Sequence, residues 1–202
     1  MKKRLLAVLC ATCLCGSLGG IAFAEETETE AAADDAYVFE AEYTFMDDVV
    51  GGGISGAAAG LNMIAENADA SNSFYVGSTH STKCILTWEI TSDQDTTATL
   101  RMVLANELSA MKLNPETLII TVNDEVLEYD EVELPAETKT VGKTFNQFKL
   151  GDIELKEGVN TITFQVGENE YCNGASGGPL FDCIKLTSDA ELTMTEYPEN
   201  IE

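Results

Sequence analysis

The chain has 202 residues, of which 35 are acidic and 11 are basic, and its formal net charge is −24. This length is enough for one domain and an export signal. A surface this negative repels phosphate backbones and anionic membranes, so nucleic acid is excluded as a natural partner and divalent cations are favoured.

The first residues have the pattern of a secretory signal peptide. Three cations at positions 2–4 precede an apolar stretch at about 5–18, and positions 22–24 read Ala-Phe-Ala, which fits a cleavage site. The apolar stretch contains glycines and is shorter than the ~20 apolar residues that a membrane span needs. We therefore expect residues 1–24 to be a cleaved signal and the protein to be secreted, either extracellular or associated with the cell surface. We expect no membrane insertion after cleavage.

An acidic low-complexity segment, EETETEAAADDA, occupies residues 25–36. It has high charge and no apolar periodicity, which predicts a disordered tether. The folded domain is then predicted to cover residues 37–193. Residues 194–202 carry no apolar pattern and are predicted to form a tail.

Apolar residues at every second position recur through the domain, as in ILTWEI, TLRMVL and TITFQV. This period of two places one face of a strand in a core and the other in water. Turn signals such as Asn123-Asp124 and Glu157-Gly158 separate these segments. They predict an all-β fold, a two-sheet antiparallel β-sandwich of the jelly-roll type, with Trp88 in its core. Residues 55–70 are the one stretch compatible with a helical turn or two, although glycines interrupt it.

Three cysteines follow the predicted cleavage site: Cys84, Cys172 and Cys183. An odd number cannot pair completely. A Cys172–Cys183 disulfide fits the spacing, and buried free thiols fit equally well because unpaired cysteine often behaves as a small core residue.

Residues 174–179 read GASGGP, which is similar to the sequence around the nucleophile of trypsin-like proteases. However, Ala175 stands where that motif has an acid, and His80, the one histidine, lies in no matching motif. A serine nucleophile needs a histidine base held by a carboxylate. We interpret the segment as a glycine-rich loop with an inert Ser176, and the protein as not an enzyme. A glycoside-active enzyme or a serine hydrolase is the least favoured alternative.

Five short motifs, taken in order, resemble carbohydrate-binding module families 6 and 35. They are FEAE at 39–42, FYVG at 74–77, VND at 122–124, LKEGVNTITF at 155–164 and GPLFDCIKL at 178–186. The resemblance covers nearly the whole domain and implies a galactose-binding-like β-sandwich, in agreement with the strand pattern.

The resemblance also implies a structural calcium ion held by Glu40, Glu42 and Asp182. Their chemistry agrees, because Ca²⁺ takes 6–8 oxygen ligands. Glu40 and Glu42 are two residues apart, so on one strand they would project from the same face. The alternative is that these residues are solvated surface acids in a chain that has many.

For the sugar site, the family places an asparagine two residues before the final aspartate, where this chain has Leu180. Several members also have a loop tryptophan, which is missing here. The loop before the last strand offers Tyr171 and Asn173 instead, a ring that can stack on a sugar and an amide that can bond its hydroxyls. An ordinary polar loop is the alternative. The acidic surface favours neutral glycans, since an anionic sugar would need calcium as a bridge.

These observations predict a secreted, non-catalytic, calcium-stabilised carbohydrate-binding module that binds an oligo- or polysaccharide. Its partners would be a glycan ligand and, in some settings, a separate glycan-active enzyme. The alternative is a structural or adhesive β-sandwich that kept the fold and lost sugar binding, which Leu180 and the missing loop tryptophan favour.

Overall fold

The computed structural model of the protein describes residues 35–46, 49–50, 62–77, 79, 82, 85–106, 110–135, 145–167 and 178–201. Within these residues the regular structure consists of β-strands and two single turns of 3-10 helix, Ala41–Tyr43 and Pro198–Asn200. The strands are β1 (Tyr37–Glu40), β2 (Val49–Val50), β3 (Asn62–Glu66), β4 (Phe74–Gly77), β5 (Ile85–Ser92), β6 (Thr96–Ala105), β7 (Met111–Leu113), β8 (Leu118–Val122), β9 (Glu125–Val126), β10 (Val132–Leu134), β11 (Asn146–Leu155), β12 (Gly158–Val166), β13 (Leu180–Thr187) and β14 (Leu192–Met194).

Two large sheets and one small ribbon are built from these strands. The seven-stranded sheet has the order β11-β6-β13-β4-β3-β2, with β1 also paired to β13, and the five-stranded sheet has the order β14-β5-β12-β8-β9. The ribbon pairs β7 with β10. The predicted all-β, two-sheet antiparallel sandwich is confirmed. The structure differs from the prediction in two details, namely the two-stranded ribbon and the parallel pairing of β2 with β3.

The alternating residues of the sequence form the core between the two sheets, as predicted. Trp88 is fully buried, and its ring lies 5.0 Å from that of Phe164 on the neighbouring strand. Phe164 in turn lies 5.8 Å from Phe181 on the opposite sheet, so aromatic edges join the two layers. The indole Nε1 of Trp88 donates to the carbonyl of Phe39 at 3.1 Å, which satisfies its one polar atom.

Part of the stretch at residues 55–70, predicted to be compatible with a helical turn or two, lies outside the described residues, namely 55–61. In the described part, Asn62–Glu66 forms the strand β3, which pairs antiparallel with β4, and Ile64 is buried in the core. Burial against a partner strand outweighs the helix preference of residues such as Met63 and Ala65, which is a weak local tendency.

Both ends of the predicted organisation extend beyond what the structure describes. The predicted signal and nearly all of the predicted tether lie outside the described residues. Among the residues that are described, no helix has the length and apolar character to cross a membrane. The boundary at residue 193 stays a prediction, although the segment after it contacts the sandwich, because the Tyr197 hydroxyl lies 3.1 Å from a carboxylate oxygen of Glu89.

A buried asparagine fixes the hairpin between β11 and β12. The Oδ1 of Asn160 accepts from the Lys156 backbone N–H at 2.8 Å, and its Nδ2 donates to the carbonyls of Lys156 and Gly158 at 2.8 and 3.0 Å. Its Oδ1 also accepts from the side chain of Asn123, in the neighbouring turn, at 2.8 Å. One side chain therefore satisfies polar groups of two turns at once.

Replacement of this side chain should destabilise the fold. We expect Asn160→Ala to lower the free energy of unfolding by about 2–4 kcal/mol, because several hydrogen bonds are lost and buried partners are left unsatisfied. Urea denaturation measures this loss. The neighbouring Val159→Ala is the control, since Val159 is 67% exposed and should change stability by less than about 0.5 kcal/mol. Equal stability of the two variants would contradict this role of Asn160.

Candidate metal centre

Strands β1 and β13, which come from opposite ends of the domain, bring two acidic residues together in the seven-stranded sheet. β1 pairs antiparallel with β13, and Glu40 lies opposite Cys183. The register between β13 and β6 shifts between Phe181 and Cys183, which makes Asp182 the extra residue of a bulge. Ligand atoms of Glu40, Asp182 and Cys183 consequently lie within 4.8 Å of one another.

The turn between β3 and β4 closes over this group. The backbone N–H of Ser71 donates to Oδ1 of Asp182 at 2.9 Å, and the Ser71 hydroxyl lies 2.9 Å from the same oxygen. That hydroxyl is also within hydrogen-bond distance of Oε2 of Glu40. Ser71 therefore links the two carboxylates that the strands supply.

Glu42 does not belong to this group of clustered ligand atoms, although it lies near enough for the charges of Glu40 and Asp182 to raise its pKa. Contrary to the prediction, it does not share a strand with Glu40, because β1 ends at Glu40 and Glu42 lies in the 3-10 turn Ala41–Tyr43. The turn directs its side chain inward and leaves it fully buried. The backbone of this turn is fixed by Asn200, whose Nδ2 donates to the carbonyls of Glu42 and Thr44 at 3.0 and 2.8 Å.

One oxygen of the Glu42 carboxylate has a partner and the other has none. Oε1 accepts from Nδ2 of Asn72 at 2.8 Å. Oε2 is buried and has no hydrogen-bond partner among the described residues. A buried carboxylate oxygen without a partner is costly, since transfer of a polar group out of water is unfavourable unless the group is bonded.

Burial shifts the titration of all three acids in the same direction. Burial, together with the negative charges of Glu40 and Asp182, raises the pKa of Glu42 from 4.5 to about 7, against the lowering effect of its hydrogen bond from Asn72. Burial also raises the pKa of Glu40 and that of Asp182. The three carboxylates are close enough to repel one another, and no described cation lies among them as a hydrogen-bonded partner.

The chemistry of the donor set fits a hard divalent cation. The clustered carboxylates of Glu40 and Asp182, and the nearby Glu42 carboxylate with its unpartnered oxygen, are the kind of ligands that Ca²⁺ binds, whereas Zn²⁺ favours nitrogen and sulfur. Cys183 is a buried free thiol, so it is not disulfide-bonded, and burial and the nearby carboxylates raise its pKa. A protonated thiol is a poor metal ligand, which leaves the oxygens as the donors.

The residues predicted to bind sugar, Tyr171 and Asn173, lie outside the described residues, as do Cys84, Cys172 and Ser176. The structure does place Leu180. It packs in a small apolar cluster with Ala70, Tyr75 and Ala105 on the outer side of the seven-stranded sheet. This position therefore contributes to packing and offers no polar group to a ligand.

Sequence reasoning did not identify Ser71 or Asn72 as parts of the centre. Both lie in the segment NADASNS, whose small polar residues indicate only a turn. Their contacts are with residues 30 and 111 positions away, so nothing local marks them.

Comparison with known proteins gives matches in structure only. No family model matches the chain, and no curated protein matches it. A family 35 carbohydrate-binding module from Clostridium thermocellum superposes with a TM-score of 0.52 at 18% identity, over 75% of this chain and 96% of that one. The Podospora anserina GH26-CBM35 β-(1,4)-mannanase gives 0.51 at 20% identity, over 78% of this chain and 28% of the mannanase. The cycloalternan-forming enzyme from Listeria monocytogenes gives 0.50 at 15% identity, over 74% and 12%.

These matches define the class of fold. The chain has the β-sandwich fold seen in the family 35 carbohydrate-binding module from Clostridium thermocellum, and the predicted resemblance is confirmed at the level of the fold. It spans nearly the full length of the Clostridium thermocellum module but 28% and 12% of the two enzymes.

Proposed function

We propose that this protein is a secreted, non-catalytic carbohydrate-binding module whose fold is stabilised by calcium. The observation that carries the proposal is the superposition on a separate carbohydrate-binding module over 96% of that module's length. The signal-like residues 1–24 support secretion. The activities of the two enzymes are not transferred, because the chain spans a minor part of each.

Glu40, Glu42 and Asp182 would hold the calcium ion. Bound there, the ion would neutralise carboxylates that folding has removed from water and would give the unpartnered Oε2 of Glu42 a ligand to bind. The site is formed by β1, the turn Ala41–Tyr43, the β3–β4 turn and β13. An ion bound there would therefore stabilise contacts between the two ends of the domain.

Calcium should therefore raise the melting temperature, and the rise should depend on Glu42. At a concentration one hundred times its Kd, a ligand of the folded state adds about 2.7 kcal/mol, equivalent to several degrees. Glu42→Gln keeps the shape of the side chain but removes its charge. We expect this variant to lose most of the calcium response, and in EGTA at pH 8 to be at least as stable as the wild type. Differential scanning fluorimetry of the mature protein measures both effects.

The matched control is Glu133→Gln, an identical change at an exposed position of β10. It should retain the full calcium response. A response of equal size in wild type and Glu42→Gln would remove Glu42 from the metal centre.

Glycan binding is proposed to use the loop that precedes β13, where Tyr171 would stack on a sugar ring and Asn173 would bond its hydroxyls. The expected affinity is weak, with Kd between micromolar and millimolar, which corresponds to about 4–8 kcal/mol. Tyr171→Ala should abolish binding on a glycan array and in calorimetry without lowering the melting temperature. Phe45→Ala is the matched control, because Phe45 is an exposed aromatic residue, 43% accessible, beside Tyr197.

The two variants separate the competing sites. Loss of binding in Phe45→Ala with retention in Tyr171→Ala would move the site to the Phe45 edge and refute the proposed loop site. Absence of binding to any glycan would favour the second candidate function, a structural or adhesive β-sandwich. The observation that favours this candidate is Leu180, which is buried among apolar side chains at the position where the resembled families place a ligand-binding asparagine.

A further inference from the structure

A buried thiol lies within the group of acidic ligands at the candidate metal centre. Sγ of Cys183 and carboxylate oxygens of Glu40 and Asp182 all lie within 4.8 Å of one another. Cys183 is 2% exposed, and its Sγ lies 3.9 Å from Oδ2 of Asp182. Calcium takes oxygen ligands, so the calcium site proposed above does not explain why a thiol lies at this position.

The β-bulge at Asp182 brings the thiol into the group. Neighbouring residues of a regular strand project from opposite faces of a sheet, which would separate the side chains of Asp182 and Cys183. The register of β13 against β6 shifts between Phe181 and Cys183, and a bulge redirects a side chain in this way. Cys183 is also directly opposite Glu40 on β1, and the Cβ atoms of such cross-strand pairs lie ~4.5–5.5 Å apart. One local irregularity therefore gathers two consecutive side chains and a third from the neighbouring strand.

A buried oxygen beside this group independently points to a cation. Oε2 of Glu42 is buried and has no hydrogen-bond partner among the described residues. The other oxygen of this carboxylate accepts from Asn72, and the chain neighbour of Asn72, Ser71, donates to Asp182. The Glu42 carboxylate is therefore held beside the group by consecutive residues of one turn. The thiol does not neutralise these acids, because an S–H group is a weak donor without positive charge.

One sulfur and two carboxylates form a donor set that suits a borderline-soft divalent cation. Zn²⁺ binds cysteine sulfur at ~2.3 Å and carboxylate oxygen at ~2.0–2.2 Å, so three donor atoms within 4.8 Å of one another can reach one ion after small side-chain movements. Iron–sulfur clusters are held by several cysteines, whereas the described residues contain one, Cys183. Glu40 is partly exposed, which gives an ion access to the group from solvent.

We propose that Cys183, Glu40 and Asp182 bind a thiophilic divalent cation of the Zn²⁺ class, in competition with calcium. A metal–sulfur bond forms as the S–H bond breaks, the proton passes to solvent, and no electron is transferred. Calcium is a hard ion and leaves the thiol protonated. The inference goes beyond the proposed function, because it adds a second kind of metal at the same acids and depends on no glycan.

Absorption of a cadmium complex tests the sulfur ligand directly, because a cadmium–thiolate bond has a charge-transfer band in the ultraviolet. The test starts from Cys84→Ala/Cys172→Ala, in which Cys183 is the one thiol after the predicted cleavage site. We titrate this variant with Cd²⁺ in its mature, reduced and metal-free form, and expect a band that saturates at one ion per chain. Addition of Cys183→Ser should abolish the band, since a hydroxyl group gives no such absorption.

The same comparison in the wild-type background guards against a variant that fails to fold. Cys183→Ser alone should lower the cadmium band of the wild type by the intensity of one thiolate. An equal band with and without Cys183→Ser would assign the absorption to other groups and overturn the proposal. Absence of the band in the wild type would also overturn it.

Calorimetry with Zn²⁺ separates this inference from the proposed calcium site. Cys183→Ser should weaken Zn²⁺ binding at least about tenfold, since loss of even a supporting group of a metal site costs about 10–100-fold in affinity. It should keep the rise in melting temperature that calcium causes. Glu40→Gln should weaken the binding of both ions, whereas Glu133→Gln, the same change at an exposed position, should weaken neither.

Competition tests whether the two ions share the acids. Saturating calcium should raise the apparent Kd for Zn²⁺, and an unchanged Kd would contradict a shared site. Zn²⁺ affinity that survives in Cys183→Ser would refute the role of the thiol and leave the calcium proposal intact. Zn²⁺ binding that depends on Cys183 in a protein without a calcium response would support the thiol site and remove calcium from the proposed function.

Discussion

Pairing of the first strand with the last long strand is the constraint on which the rest of the site depends. β1 lies against β13 with Glu40 opposite Cys183, and the bulge at Asp182 directs a second carboxylate to the same point. The 3-10 turn that follows β1 then buries Glu42. This pairing brings acidic groups from opposite ends of the domain close together.

That arrangement places three carboxylates where they repel one another, and the described protein groups stabilise them only in part. Ser71 and Asn72 supply hydrogen bonds to the three carboxylates, yet Oε2 of Glu42 has no partner among the described residues. Buried charges in proteins are normally paired or bound to a metal, or else the group takes up a proton. We propose that a calcium ion neutralises these carboxylates, and such an ion would stabilise the fold most at the buried Glu42 carboxylate.

Much of the fold could be predicted from the sequence, because burial leaves a period of two in strands such as β5 and β12. Trp88 was correctly placed in the core by its parity, and the two-sheet sandwich followed from the repeated pattern. Residues 62–66 were the exception, since their helix-compatible composition concealed a strand that is stabilised by pairing with β4. The secondary-structure preference of a short segment does not show which distant strand will pair with it.

The site was less predictable because it is made by contacts between distant residues. Family resemblance named Glu40, Glu42 and Asp182, but the strand geometry assumed for Glu42 was wrong. No local pattern around Ser71 and Asn72 indicates their roles, because their partners are distant in the chain.

The central claim is that folding buries the Glu42 carboxylate and that a cation or a proton must neutralise it. The most direct measurement is the free energy of unfolding of the wild type and of Glu42→Gln at a series of pH values, in EGTA and in saturating calcium. The quantity compared is the wild-type value minus the value of the variant. The pKa of Glu42 is raised from 4.5 to about 7 in the folded state, so between these pH values the folded protein holds a proton that the unfolded chain has released. In EGTA the free energy of unfolding of the wild type, relative to that of Glu42→Gln, should therefore fall as the pH rises from 4.5 to about 7, by up to about 3 kcal/mol. In calcium this fall should disappear, since the bound ion holds the carboxylate ionised. A difference in EGTA that stays flat or rises with pH would contradict a buried, unneutralised carboxylate at Glu42.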